Sequence, residues 1–97
     1  MAAFVIVTME IDDADTFADY RAKAPAFVER HGGRYLARGG ATEVIEGDWS
    51  PSRVVLLEFP DVASAQAFFA DPDYVAIADI RHRAARSQIV IVEGVTA

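Results

Sequence analysis

The stretch that decides the fold is RVVLLEF, residues 53–59. Only Arg53 and Glu58 are polar, so a strand here carries apolar side chains on both faces. A sheet covered by helices on one face alone would instead alternate apolar and polar residues. The run IVIV at residues 89–92 is two-sided in the same way. We therefore expect a homodimer in which a second copy of the sheet covers the other face. The alternative is a monomer whose open face holds a ligand.

The N-terminal half predicts a strand followed by a helix. Residues 3–11 form a largely β-branched run, and its alternate positions Val5, Val7, Met9 and Ile11 form an apolar face that should meet the helices. Asp12 or Asp13 then caps a helix that ends near His31, before two glycines. Pro25 lies inside this helix and should kink it or leave a carbonyl free.

The remaining elements complete a βαββαβ order. We expect a short strand at 34–38, a Gly39-Gly40 hairpin turn, a return strand at 42–46 and a loop at 47–52. Pro60-Asp61 ends the strand at 53–59 and caps a second helix, which breaks at 71–73 and restarts from Tyr74 to about residue 85. The final strand runs over 88–95. This order, with its second strand split as a hairpin, predicts one α+β, ferredoxin-like domain with an antiparallel sheet over residues 1–97.

Composition narrows the function classes. The chain has 97 residues, 53% of them hydrophobic, with no cysteine and a net charge of −6. Without cysteine there are no disulfides and no ligands for an iron–sulfur cluster. Excess acid argues against a nucleic-acid partner. The N-terminus lacks a basic leader, and Glu10 interrupts its apolar run, so we expect no membrane segment and a cytoplasmic protein.

An ordered set of short segments carries a family resemblance. These segments are HGGRYLARGG at 31–40, EG at 46–47, RVVLLEFP at 53–60 and IVEG at 91–94. Taken in this order, they resemble the DUF1330 family of uncharacterised proteins. The resemblance implies a dimeric α+β barrel, in which two ferredoxin-like sheets face each other, and assigns no biochemical role. Some members of the wider superfamily use an Asn-Trp-His set to hold an aromatic substrate or haem, and this chain contains no asparagine.

Two polar residues at the strands are the first candidates for chemistry. Arg38 stands beside paired glycines, where backbone N–H groups and a guanidinium could hold an anion. The alternative is an ordinary hairpin. Glu58 shares a strand face with Val54 and Leu56, and burial would suit it to general acid–base catalysis near neutral pH. Alternatively, Arg38 or Arg81 neutralises it in a structural ion pair.

The other candidates have equally simple structural alternatives. His31 is a candidate catalytic residue, or complements the dipole at the helix end. Tyr74 and Arg81 are seven residues apart on one helical face and could bind a planar acid, or simply pack together. Arg53, on the opposite strand face from Glu58, and Trp49 are candidate substrate contacts, and Trp49 is also a candidate interface anchor.

These observations leave two functions open. The first is a cofactor-independent enzyme or binder of a small organic acid or aromatic, with a cleft between sheet and helices. The second is a non-enzymatic structural or stress-related homodimer. The histidines and acids have no metal-ligand spacing, so we expect no metal and no cofactor.

Overall fold

The computed structural model describes residues 1–95 and contains four strands and three helices. The elements in chain order are β1 (Ala3–Ile11), α1 (Ala14–Arg30), β2 (Arg34–Arg38), β3 (Arg53–Phe59), α2 (Val62–Ala70), α3 (Pro72–Ala84) and β4 (Ala85–Glu93). The strands form one sheet in the order β2-β3-β1-β4, and each neighbouring pair is antiparallel. This is the ferredoxin-like arrangement that the element order predicted.

The core lies between one face of the sheet and the helices. Alternate residues of the central strands are buried, as the apolar pattern predicted: Val5 and Val7 of β1 lie beside Leu57 and Val55 of β3. From the helices, Phe17, Val28 and Phe68 are among the residues that pack on this face.

The opposite face of the sheet is uncovered in the single chain. Across it, Ile6 of β1 pairs with Leu56 on one side and with Val90 on the other. We call this surface the open face. Its apolar members, each partly or well exposed, are Phe4, Ile6, Val54, Leu56, Val90 and Val92. The helices therefore cover only one of the two apolar faces of β3 and β4.

The ends of the first helix follow the expected capping chemistry. Asp13 is the N-terminal cap, and its carboxylate accepts a 3.1 Å hydrogen bond from the Thr16 amide. His31 occupies the C-terminal cap, and Gly32 follows with a φ of +77°, which favours glycine. The helix continues through Pro25 without a break.

The predicted hairpin after β2 is wrong. Residues 39–52 form an irregular connection, and the expected return strand at 42–46 has no strand pairing. Its only large apolar residues, Val44 and Ile45, are adjacent, so they cannot form the alternating face that a strand buries. Ile45 is 86% exposed.

Two other boundaries differ from the sequence prediction. The third helix begins at Pro72, which suits the first helical turn because proline needs no hydrogen-bond acceptor there. The last strand begins at Ala85, since pairing with Ile11 extends it, and it ends at Glu93.

Candidate functional site

An irregularity in β2 sets which side chains face the helices. Tyr35 pairs with Leu57 and Arg38 pairs with Val55, although the two β2 residues are three apart. In a regular strand that spacing places side chains on opposite faces. The register shifts between Tyr35 and Ala37, so Leu36 is the extra residue of a β-bulge. The bulge brings both Tyr35 and Arg38 to the helix-facing side.

That side of the sheet contains a cavity of about 40 Å³. A space of this size holds a few water molecules, so a larger ligand needs side chains at its edge to move. Its apolar wall comes from the sheet and from aromatic residues of the helices. The polar groups on its lining are guanidinium and phenol groups only, from Arg21, Arg38, Arg53, Arg81, Tyr20, Tyr35 and Tyr74.

The arginines of this cavity differ from the other arginines of the chain. Of the eight arginines in the sequence, four form ion pairs with carboxylates on the surface: Arg30, Arg34, Arg83 and Arg86. The other four have no ion pair within residues 1–95, and all four line the cavity. We call Arg21, Arg38, Arg53 and Arg81 the cavity arginines. Among residues 1–95, no aspartate or glutamate lines the cavity with them.

Two of the cavity arginines, Arg53 and Arg81, are partly or fully buried and face an aromatic ring. Arg81 is only 6% exposed, and its guanidinium lies 5.8 Å from the centre of the Tyr20 ring. Arg53 faces the ring of Phe17 at 5.5 Å. In each of the two arginines the buried Nε has no hydrogen-bond partner in the described chain. Burial, followed by the nearby charges of Arg21 and Arg38, lowers the pKa of Arg53.

The proline inside α1 positions a third arginine. Because Pro25 has no N–H, the carbonyl of Arg21, four residues earlier, lacks its helical donor. The Arg38 guanidinium donates a 2.6 Å hydrogen bond to this carbonyl and lies over the Tyr35 ring. The carbonyl that the sequence predicted to be free therefore fixes Arg38 at the edge of the cavity.

Gly39 makes room for Arg53. Its φ is +74°, and its N–H donates to the Val54 carbonyl at 2.9 Å, which extends the pairing of β2 with β3. A Cβ at this position would overlap Arg53 Nη1. Glycine is therefore needed at position 39 for both its backbone conformation and the close approach of the guanidinium.

A pair of tyrosines forms the inner polar part of the cavity. The hydroxyls of Tyr20 and Tyr74 are 2.7 Å apart, and one donates to the other. Burial raises the pKa of Tyr20 well above its usual range, and the neighbouring Tyr74 adds to the effect. Burial also raises the pKa of Tyr35. Tyr20 and Tyr35 are therefore neutral hydrogen-bonding groups at physiological pH and not bases.

Four of the predicted site residues lie on this cavity, and three do not. Arg38, Arg53, Tyr74 and Arg81 line it. Glu58 lies on the open face, where Arg34 Nε donates to it at 2.7 Å, so its ion-pair partner is neither Arg38 nor Arg81.

His31 and Trp49 lie elsewhere. The Nε2 atom of His31 is 2.8 Å from the Asp71 carboxylate, at the junction of α1 with α3. Trp49 is 66% exposed in the 39–52 connection, beside Glu10 and Arg86. The structure therefore does not bring Glu58, His31 or Trp49 together with the cavity arginines.

Sequence reasoning missed Arg21, Tyr20 and Tyr35 as site residues. A signal for Arg21 exists, because it lies four residues after Phe17 and three before Ala24, on the buried stripe of α1. An arginine at an apolar position of a helix points to a buried polar site. No such signal exists for Tyr35, whose position depends on the bulge.

Structural comparison places this architecture among ferredoxin-like proteins. A protein of unknown function from Rhodopseudomonas palustris matches with a TM-score of 0.78 at 20% identity, over 99% of this chain and 84% of that one. SnoaB, a cofactor-independent oxygenase from Streptomyces nogalater, matches with a TM-score of 0.68 at 12% identity, over 99% and 95%. A dimeric ferredoxin-like protein of unknown function from a Jannaschia species matches with a TM-score of 0.64 at 16% identity, over 97% and 100%. At these identities the likeness establishes the fold alone.

The chain is thus a ferredoxin-like α+β domain. A family model described as "Domain of unknown function (DUF1330)" matches residues 2–95, and the chain belongs to that family. This confirms the resemblance seen in the sequence. The comparison with curated proteins gave no match. Within residues 1–95, no helix is both long and apolar enough to cross a membrane.

Proposed function

We propose that the cavity between the sheet and the helices binds a small aromatic organic anion. This proposal rests on the division of the eight arginines into four that form surface ion pairs and four that line the cavity. In a chain with a net charge of −6, the four arginines without a carboxylate partner share one cavity. A carboxylate-bearing ligand would supply the negative charge that the protein itself does not place there.

The energetics support an anionic occupant. A buried cation without a counter-charge costs several kcal/mol of desolvation. The Arg81 and Arg53 side chains each keep a buried Nε–H without an acceptor. A carboxylate accepts two parallel hydrogen bonds from one guanidinium, and such charge-assisted bonds are the strong ones. Ligand binding would therefore offset a cost already present in the empty protein.

The cavity walls favour a flat, aromatic ligand. Phe17, Phe68 and Phe69 line it together with the tyrosines. A planar ring packs well against such walls, and its edge can meet the hydroxyl groups of Tyr20 and Tyr74. The exposed Arg38, whose hydrogen bond is to a single carbonyl, is the side chain that moves to admit the ring.

The same geometry favours binding over proton abstraction. Among the described residues, the cavity lining contains no carboxylate and no histidine, and Tyr20 stays protonated at neutral pH. Where a reaction occurs, the arginines would favour one in which negative charge develops on the ligand, as in an enolate or phenolate. SnoaB, which shares the fold, is a cofactor-independent oxygenase. That likeness keeps an enzymatic role compatible with the proposed binding site.

Calorimetric titration with benzoate and benzamide tests the proposal, since the two differ in charge but hardly in shape. We expect benzoate to bind and benzamide to bind at least about tenfold more weakly. Arg53→Met should abolish the preference for benzoate. Arg83→Met is the matched control, because Arg83 is exposed, pairs with Asp79 and lies outside the cavity. Equal binding of benzoate and benzamide would contradict an arginine-based anion site. So would a loss of the benzoate preference in Arg83→Met as large as that in Arg53→Met.

We also propose that the open face pairs with the open face of a second copy. Its apolar side chains form a continuous surface over β1, β3 and β4, of the kind that soluble proteins cover. The Jannaschia protein with this fold is dimeric, which supports the same assembly here. Sheet-to-sheet packing would leave the cavity, on the other side of the sheet, accessible in each subunit.

A further inference from the structure

The cavity arginines form two separate positive groups. The first contains Arg21, Arg38 and Arg53, whose charges lie near one another. Arg38 donates to the Arg21 carbonyl, and the Arg53 guanidinium packs against Gly39, the next residue after Arg38. These three arginines meet where the end of β2, the start of β3 and the middle of α1 come together.

Arg81 forms the second group by itself. It comes from α3, and its guanidinium faces the Tyr20 ring. Within residues 1–95, the one polar contact of this side chain is a 3.4 Å approach of Nη2 to His82 Nε2. Arg53 instead faces Phe17, whose ring centre is 5.6 Å from that of Tyr20. The two positive groups therefore face neighbouring rings of α1, Phe17 for the first group and Tyr20 for the second.

We propose that the natural ligand is a dianion, an aromatic acid with a second acidic group on the ring. This inference rests on the proposed function and specifies its substrate class. A single carboxylate placed among Arg21, Arg38 and Arg53 would leave buried Arg81 uncompensated. A second acidic group would accept from Arg81 beside the two tyrosine hydroxyls. The ring between the two acidic groups would pack on Phe17 and Tyr20.

The test compares ligands of the same size that differ by one charge. The three benzenedicarboxylate isomers are dianions at neutral pH, and their monomethyl esters are monoanions. Calorimetric titration of the wild-type protein should show at least one isomer binding about tenfold or more tightly than its own monoester. Arg81→Met should remove most of that ratio while the monoester still binds. Arg53→Met provides a second variant, which should weaken the diacid and the monoester together. Arg83→Met is again the control and should leave every ratio unchanged.

The outcomes separate this inference from the proposed function. If benzoate and the monoesters bind but no diacid binds more tightly, the site takes a monoanion and the dianion inference is wrong. If no aromatic acid binds, both proposals are wrong. If a diacid is preferred but Arg81→Met keeps the preference, the second acidic group does not meet Arg81, and the assignment of the two groups fails.

Discussion

At the scale of single residues, the informative contrast is between arginines of one chain. Arg34 lies on the surface with Glu58 beside it, whereas Arg81 is buried and forms no ion pair with a carboxylate of residues 1–95. Folding alone does not account for Arg81. Its 5.8 Å contact with the Tyr20 ring contributes about 2 kcal/mol, and burial of an uncompensated charge costs several kcal/mol. We interpret this imbalance as stability given up for binding.

That interpretation makes an unusual prediction for Arg81→Met. Methionine keeps most of the apolar contacts and removes the buried charge, so the ligand-free protein should become more stable by about 1 kcal/mol or more. Urea unfolding of the wild type and the variant measures the change. Arg83→Met, on the surface, should alter stability by less than about 0.5 kcal/mol. A clear loss of stability in Arg81→Met would show that Arg81 is a structural residue.

At the scale of elements, the sequence predicted much of the sheet. It predicted only some of the residues that form the site. The bounds of β1 and β3 follow from apolar and β-branched runs, and the caps of α1 follow from Asp13 and Gly32. Strand alternation also places Arg53 and Glu58 on opposite faces, as observed. The alternation rule cannot place Arg38, because a bulge at Leu36 changes its face. Bulges depend on tertiary packing, so no local pattern in 34–38 announces one.

Gly39 offers a test of how the β2–β3 junction positions Arg53. Gly39→Ala introduces a Cβ that overlaps the Arg53 guanidinium and places alanine at a positive φ. We expect a stability loss of about 1 kcal/mol together with weaker benzoate binding. Backbone strain alone would explain the loss of stability but not the weaker benzoate binding.

Gly40→Ala is the matched control for that experiment, because nothing lies within 4 Å of a Cβ built at Gly40. It should change neither stability nor affinity appreciably. Benzoate affinity is measured by calorimetry, and stability by urea unfolding. Unchanged affinity in Gly39→Ala would mean that Arg53 does not need its observed position to bind the anion.

The junction of α1 with α3 predicts a pH dependence of stability. The Asp71 carboxylate caps α3 through the Asp73 amide and also contacts His31 and Arg30. The hydrogen bond with His31, with smaller contributions from the Asp73 amide and Arg30, lowers the pKa of Asp71 from 3.8 to about 2. Because the folded state holds the proton less tightly than the unfolded state, this group stabilises the fold above pH 4. Its contribution is lost as the pH falls towards 2.

Asp71→Asn should therefore be less stable than the wild type near neutral pH, with the difference shrinking as the pH falls towards 2. Urea midpoints measured across this pH range give the comparison. Asp79→Asn is the control, since Asp79 is exposed and pairs only with Arg83 four residues later. A difference that stays constant with pH would show that the Asp71 charge does not stabilise the fold.

At the scale of the whole molecule, the open face predicts self-association. Val90 on this face and Val75 on α3 are both 53% exposed, so they form a matched pair. Val90→Asp should convert a dimer to a monomer at micromolar concentration, because it places a charge inside the proposed interface. Val75→Asp should remain dimeric. Sedimentation velocity measures both, and a wild-type monomer would contradict the proposed pairing.

The sequence predicted the two-sided sheet from runs 53–59 and 89–92 and a ligand cleft between sheet and helices, but not the full set of side chains that line the cavity there. Arg38, Arg53, Tyr74 and Arg81 could be selected because arginine and tyrosine suit planar acids. The ion-pair partner of Glu58 could not be predicted from the sequence, because Arg34 comes from a neighbouring strand whose register was unknown. The separation of paired from unpaired arginines is a property of the folded chain.

The central claim is that the cavity arginines bind an organic anion, and the arginine Hε–Nε signals in an NMR spectrum test it most directly. During a benzoate titration, we expect a saturable shift for Arg53 and none for Arg34 and Arg83, which keep their carboxylate partners. Benzamide should shift none of the three. If benzoate leaves the Arg53 signal unmoved, or moves all three signals alike without saturation, the cavity is not an anion-binding site.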